Sequence, residues 1–213
     1  MQITHLGHSA VLVEVDGKRI LIDPGNFSGE WHGLTDLDVI LVTHLHPDHI
    51  DPEYAPALVV ANPQARVLVE PTVPGVVPLD RAEPITADTS VDLGGVRVAA
   101  VGGLHAVIHA DIPRIGNVGM VISAEGEPTL FHPGDSLAAI PAGVDVLAVP
   151  AYGPWAAMKE TVDFAREVAA PLGFPIHDGL LNERGWSLVF NRVSDMTPCK
   201  LVDLRGKGPW TPA

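Results

Sequence analysis

The sequence predicts an α/β chain built mainly from short strands, folded as two similar half-sheets whose loops meet at one edge. Apolar residues make up 46% of the 213 and fall in short clusters separated by 21 glycines and 20 prolines, the pattern of many short elements joined by turns. Helical spacing is clearest from Met158 to Ala170. A strand-loop-strand unit in the first half recurs in the second. The length allows one domain or two small ones; one domain over residues 1–213 is expected.

The elements follow in order. Ala10 to Val15 and Arg19 to Ile22 are apolar runs of strand length, and Asp16-Gly17 between them tolerates positive φ at both turn positions, so the chain opens with a β-hairpin. Val39 to Val42 is a fully apolar strand. Asp51-Pro52 starts a helix that Pro56 keeps short or irregular. Arg66 to Val69, Val96 to Val101, Val118 to Ser123 and Val146 to Val149 are further strands. In the late helix Met158, Val162, Ala165, Val168 and Ala169 share one stripe, and Pro171 stops it. The internal echo pairs Pro24-Gly25 and Asp38-Val39 with Pro133-Gly134 and Asp145-Val146. Related halves of this kind bring their loops to a common edge.

Composition narrows the function. With 13 Lys and Arg against 26 Asp and Glu, the formal charge of −13 repels a phosphate backbone, so no nucleic-acid partner is expected. No apolar run approaches the roughly 20 residues of a membrane span, and Met1-Gln2-Ile3-Thr4-His5 lacks the features of a signal peptide. A cytoplasmic protein with a small-molecule substrate and no membrane partner is the expectation. Cys199 is the only cysteine, so any metal must sit on histidine and carboxylate.

Thr43-His44-Leu45-His46-Pro47-Asp48-His49 follows the strand Val39 to Val42 directly. Residues two apart in an extended segment face the same way, so His44 and His46 converge on one ion. Asp48 and His49 diverge from that pair and suit a second. Imidazole and carboxylate together favour zinc, manganese or iron(II) over calcium. Chance gives this pattern roughly twice in a thousand such chains. A solvated histidine-rich loop is the bland alternative, and a polar cluster set at the end of a buried strand argues against it.

The run His44-x-His46-x-Asp48-His49 resembles the signature of the metallo-β-lactamase superfamily. Leu6-Gly7-His8-Ser9 and Leu21-Ile22-Asp23-Pro24 resemble its ascorbate-6-phosphate lactonase-like, metal-dependent hydrolase branch. The resemblance implies an α+β (α/β) four-layer αβ/βα sandwich, two mixed β-sheets flanked by helices. It also implies three further ligands. His105 fits the third histidine of the first site, with His109 the alternative; Asp135 fits a bridging carboxylate; His177 completes the second site. Asp48 and His8 are then the candidate catalytic residues, His8 at the pocket edge, and Asp23 orients a metal-bound histidine through its other ring nitrogen. His5, His32 and His132 are left as ordinary surface or core residues. Asp178 stands where an aromatic is expected.

These features predict hydrolysis of a small ester, lactone or phosphoester by a hydroxide shared between two divalent ions, zinc first, with manganese or iron(II) as alternatives. Such a site, less Asp48, Asp135 and the hydroxide, keeps about +1, which favours an anionic substrate. Arg114, Lys159 and Arg184, read as loop residues, are candidate anion holders, and Tyr152 and Trp155 a candidate apolar wall. Two rival readings are an iron-dependent redox enzyme of the same fold and a non-enzymatic metal-binding module. In the di-iron branch glutamate replaces the histidine that stands here as His46, and no ligand is missing.

Overall fold

Alternation along the strands assigns neighbouring side chains to different cores. The computed structural model describes residues 1–213. Its first sheet holds β1 (Gln2–His5), β2 (Val11–Val15), β3 (Lys18–Ile22), β4 (Val39–Val42), β5 (Arg66–Val69) and β6 (Ala82–Pro84), adjacent in that order. Its second holds β7 (Ser90–Asp92), β8 (Val96–Leu104), β9 (Gly116–Ala124), β10 (Leu130–His132), β11 (Val146–Pro150), β12 (Leu172–Ile176) and β13 (Lys200–Leu201), again in chain order. Three helices complete the chain: α1 (Ala55–Ala61), α2 (Met158–Val168) and α3 (Glu183–Met196).

In β3, Ile20 and Ile22 enter the core between the sheets, whereas Leu21 faces the layer of α1. In β11, Val146 and Ala148 face the inter-sheet core while Leu147 and Val149 meet α2 and α3. A period of two therefore builds three apolar layers and four structural ones. This is the four-layer sandwich of two mixed sheets flanked by helices.

The internal echo is a topological repeat. Strands β1 to β3 are antiparallel and β3 to β6 parallel; β7 to β10 are antiparallel and β10 to β13 parallel. The carboxyl ends of the parallel strands lie on one edge, where ligands bind in sheets of this kind. Asp16 and Gly17 both have positive φ, +45° and +71°, so the opening hairpin turns as its sequence requires. Pro56 sits in the first turn of α1, where its missing N–H is no loss. Helix α2 ends at Ala169 in the left-handed conformation, two residues before Pro171.

Helix α3 departs from the expectation of a loop around Arg184. Asn182 caps it by accepting from the backbone N–H groups of Arg184 and Gly185, and Trp186, Val189 and Val193 form its buried stripe. That stripe is short and flanked by charge, which hides it from a scan for long apolar periodicity. No helix is long and apolar enough to cross a membrane.

Candidate metal centre

Every predicted ligand projects from the shared edge. His44, His46, Asp48 and His49 follow β4, His105 follows β8, Asp135 follows β10 and His177 follows β12. They form two groups whose ligand atoms lie within 4.8 Å of one another: His44, His46, His105 and Asp135, and His8, Asp48, His49 and His177. His109 stays outside. Its ring is 64% exposed and accepts a hydrogen bond from the Asp111 N–H, so the geometry favours His105.

Hydrogen bonds fix the proton of four rings on Nδ1. His49 donates from Nδ1 to Asp23 Oδ2 at 2.7 Å, and His105 to the Ala106 carbonyl at 2.6 Å. His177 donates to the Tyr152 carbonyl. The Thr43 hydroxyl donates to Asp23 Oδ2 at 2.7 Å, so it accepts from His44 Nδ1 at 3.0 Å. Each ring therefore turns its Nε2 inward, with a lone pair there whenever the ring is neutral. The Nε2 atoms of His49, His105 and His177, with Asp135 Oδ1, are buried and have no hydrogen-bond partner. Buried polar atoms are rarely left so. Three imidazole nitrogens gathered around one carboxylate fit a divalent cation on nitrogen and oxygen donors.

The electrostatics point the same way. Burial alone would raise the Asp135 carboxyl, yet His49, His105 and His177 hold it well below the usual range. Burial likewise works upward on Asp48, and His177 and His8 overcome it. Burial would lower His177, but Asp135 and Asp48 raise it to about 9; His49, buried too, is lifted well above normal by Asp135 and Asp23. Two buried carboxylates demand positive charge at this spot, which protons or metal ions can supply.

His8 plays a different part. Its Nδ1 accepts from the Gly179 N–H at 3.0 Å, so Nε2 carries the proton and donates to Asp48 Oδ2 at 3.1 Å. It is a neutral hydrogen-bond donor at this point, because burial lowers its pKa. His8, Asp23 and His177 all have left-handed backbone, φ +52°, +49° and +58°. Strain of this kind costs on the order of 1 kcal/mol per residue and collects where side chains must be aimed.

Supporting residues unseen in the sequence come from tertiary approach. Ser9 donates to the Asp48 carbonyl. Asn117 accepts the Asp135 N–H through Oδ1 and donates to the Pro133 carbonyl. His5 and His132, left over in the sequence, are buried braces bonded to the His8 and Ser9 carbonyls. His32 stacks on Tyr54. Trp155 corrects the apolar-wall reading: it is buried, and its indole N–H is spent on Asp135 Oδ2 at 2.8 Å. Its only available signal was the Gly153-Pro154-Trp155 run after a strand.

Of the three candidate cations, Arg114 is beside the centre, donating to the His105 carbonyl and lining a cavity of about 20 Å³ with His46 and His105. Lys159 and Arg184 lie exposed in the first turns of α2 and α3. A larger groove of about 440 Å³, lined by Asn26, Phe27, His32, Glu53 and Tyr54 among others, adjoins the opposite side. Phe27 connects it to the centre, its ring centroid 4.8 Å from that of His8.

Comparison with known proteins gives the family and the fold. A family model for the beta-lactamase superfamily domain matches residues 2–177. Protein Rv0786c of Mycobacterium tuberculosis is 39% identical over 201 residues, covering 92% of this chain and 93% of that protein. A UPF0173 metal-dependent hydrolase of Azorhizobium caulinodans is 33% identical over 151 residues, a stretch covering 64% of each chain. Among solved structures, the metallo hydrolase Igni18 of Ignicoccus hospitalis superposes with a TM-score of 0.73 at 18% identity, over 100% of this chain and 98% of that one.

Proposed function

The chain belongs to the metallo-β-lactamase superfamily, and from that premise we propose a metal-dependent hydrolase with two divalent ions, zinc first, acting on a small anionic ester, lactone or phosphoester. His44, His46 and His105 would hold one ion, Asp48, His49 and His177 the other, and Asp135 would serve both. Ions so held supply Lewis-acid polarisation of a carbonyl or phosphoryl oxygen and acidify water toward neutrality.

The chain's own residues supply the rest. His8 donates to Asp48 and keeps its carboxylate turned to the centre. Asp48 is the more open of the two carboxylates, 19% exposed against 3% for Asp135, and is placed to take a proton from an attacking water. Arg114 offers a guanidinium for an anionic group next to His105. The groove beyond Phe27 carries Asp51 and Glu53 and no Lys or Arg, so the anionic end of a substrate points away from it. Imidazole at His46 rather than glutamate supports hydrolysis over di-iron redox chemistry.

The observation that carries this reading is the set of inward Nε2 atoms on His49, His105 and His177, each fixed by its other nitrogen and left without a partner. Metal counting after loading with excess zinc should give two ions per chain. The loaded protein should cleave anionic esters or lactones faster than matched neutral ones at low salt, with the preference shrinking as salt rises. A count that never exceeds one, faster cleavage of single-stranded RNA than of every small substrate, or indifference to substrate charge would overturn it.

A further inference from the structure

One loop touches the ligands of both groups. Between β11 and α2, the Tyr152 carbonyl accepts from His177 Nδ1 and the Trp155 indole donates to Asp135 Oδ2 at 2.8 Å. The indole also stands edge-on to His105 and His177, ring centroids 6.0 and 5.8 Å away at interplanar angles of 79° and 75°. Asp135 Oδ2 is the oxygen nearest His105 and His177, at 3.4 and 3.2 Å, while Oδ1 faces His49 at 3.1 Å. The carboxylate thus spans both groups, and Trp155 holds the oxygen on which they meet.

Gly153 makes this placement feasible. A Cβ there would lie 2.5 Å from the indole Cε2 and Nε1 atoms, so only glycine lets the ring fold back against its own loop. The turn is closed by a bridge between Gly153 and Ala156.

We infer that Trp155 is a positioning residue that couples the two metal positions, holding Asp135 in the pose that serves both through a hydrogen bond whose geometry depends on Gly153. A carboxylate without that donor is free to rotate toward one group. One ion is then held nearly as before and the other weakly. The inference rests on the two-ion reading above.

The test is zinc titration of the stripped protein against a competing chelator, with tryptophan fluorescence read alongside. The parent should bind two zinc ions and change its emission on loading. Trp155→Phe should keep one ion near parent affinity, lose affinity for the other about 10- to 100-fold, and lose most of the emission change. Gly153→Ala leaves the indole in the chain but displaces it, and should weaken the same ion. It also keeps the test decisive if Trp155→Phe does not fold. The double variant should be no worse than the weaker single one, since both remove one interaction. Stripped parent and variants that melt within a few degrees of one another would separate positioning from general structural damage. A parent that never takes a second ion defeats the two-ion reading and this inference with it. A parent that takes two, alongside variants that take two with equal affinity, defeats only the role of Trp155.

Discussion

At His177 burial and charge pull in opposite directions, and charge wins. Its imidazolium is favoured by Asp135 and Asp48 until about pH 9, against an ordinary value of 6.5. A folded-state pKa raised in this way contributes stability that is complete below about pH 6.5 and disappears as pH rises through about 9. The stripped protein should therefore melt at progressively lower temperature from pH 6.5 to 9, whereas zinc, which replaces the proton, should remove most of that slope. A melting temperature of the stripped protein that stays flat or rises across this range would contradict the assignment. At this scale the sequence was informative wherever spacing alone decides. His44, His46, Asp48 and His49 are neighbours whose directions follow from an extended backbone. The roles of Trp155, Asn117 and Ser9 depend on which strands end beside one another, and nothing within a few residues of them encodes it.

Among the loops, Asp23-Pro24-Gly25 packs tightly against the segment carrying the histidines. A Cβ on Gly25 would lie 1.8 Å from the Asp48 carbonyl oxygen and 2.0 Å from its carbon. Backbone packs directly on backbone, so no side chain can yield. Gly25→Ala should cost about 3 kcal/mol and lower zinc content. Gly17→Ala, at φ +71° with nothing within 4 Å of its Cβ, should cost about 1 kcal/mol and leave zinc binding intact. Chemical denaturation with metal analysis of both variants checks the contrast, and equal zinc retention would refute it. Most strands were legible as apolar runs between turn residues. Among those that escaped, β6 and β7 are three residues each, with mostly exposed side chains. They are strands because a neighbour pairs with them, which composition does not record.

The molecule as a whole rests on the core between its sheets, to which both halves contribute. Phe174 is fully buried there, with Trp210 edge-on at 6.4 Å. Phe174→Ala should cost about 4 kcal/mol and leave a single denaturant transition of unchanged slope. A loss below about 1.5 kcal/mol would mean that the sheets close over the gap. The doubled architecture was legible because the same dipeptides recur at matching strand ends; the order of strands in each sheet was not, since pairing partners are set by layers that no local pattern describes. The gathering of ligands from His44 to His177 carries a consequence for the order of events in the molecule's life. Both sheets must be built and docked before the last ligand reaches its place, so long stretches of chain are closed before the full ligand set exists. Small zinc domains take shape around their metal. Here the ion meets a finished receptacle, so its identity is decided by what the completed protein encounters, and an occupant that is removed can be exchanged for another without the chain having to fold again.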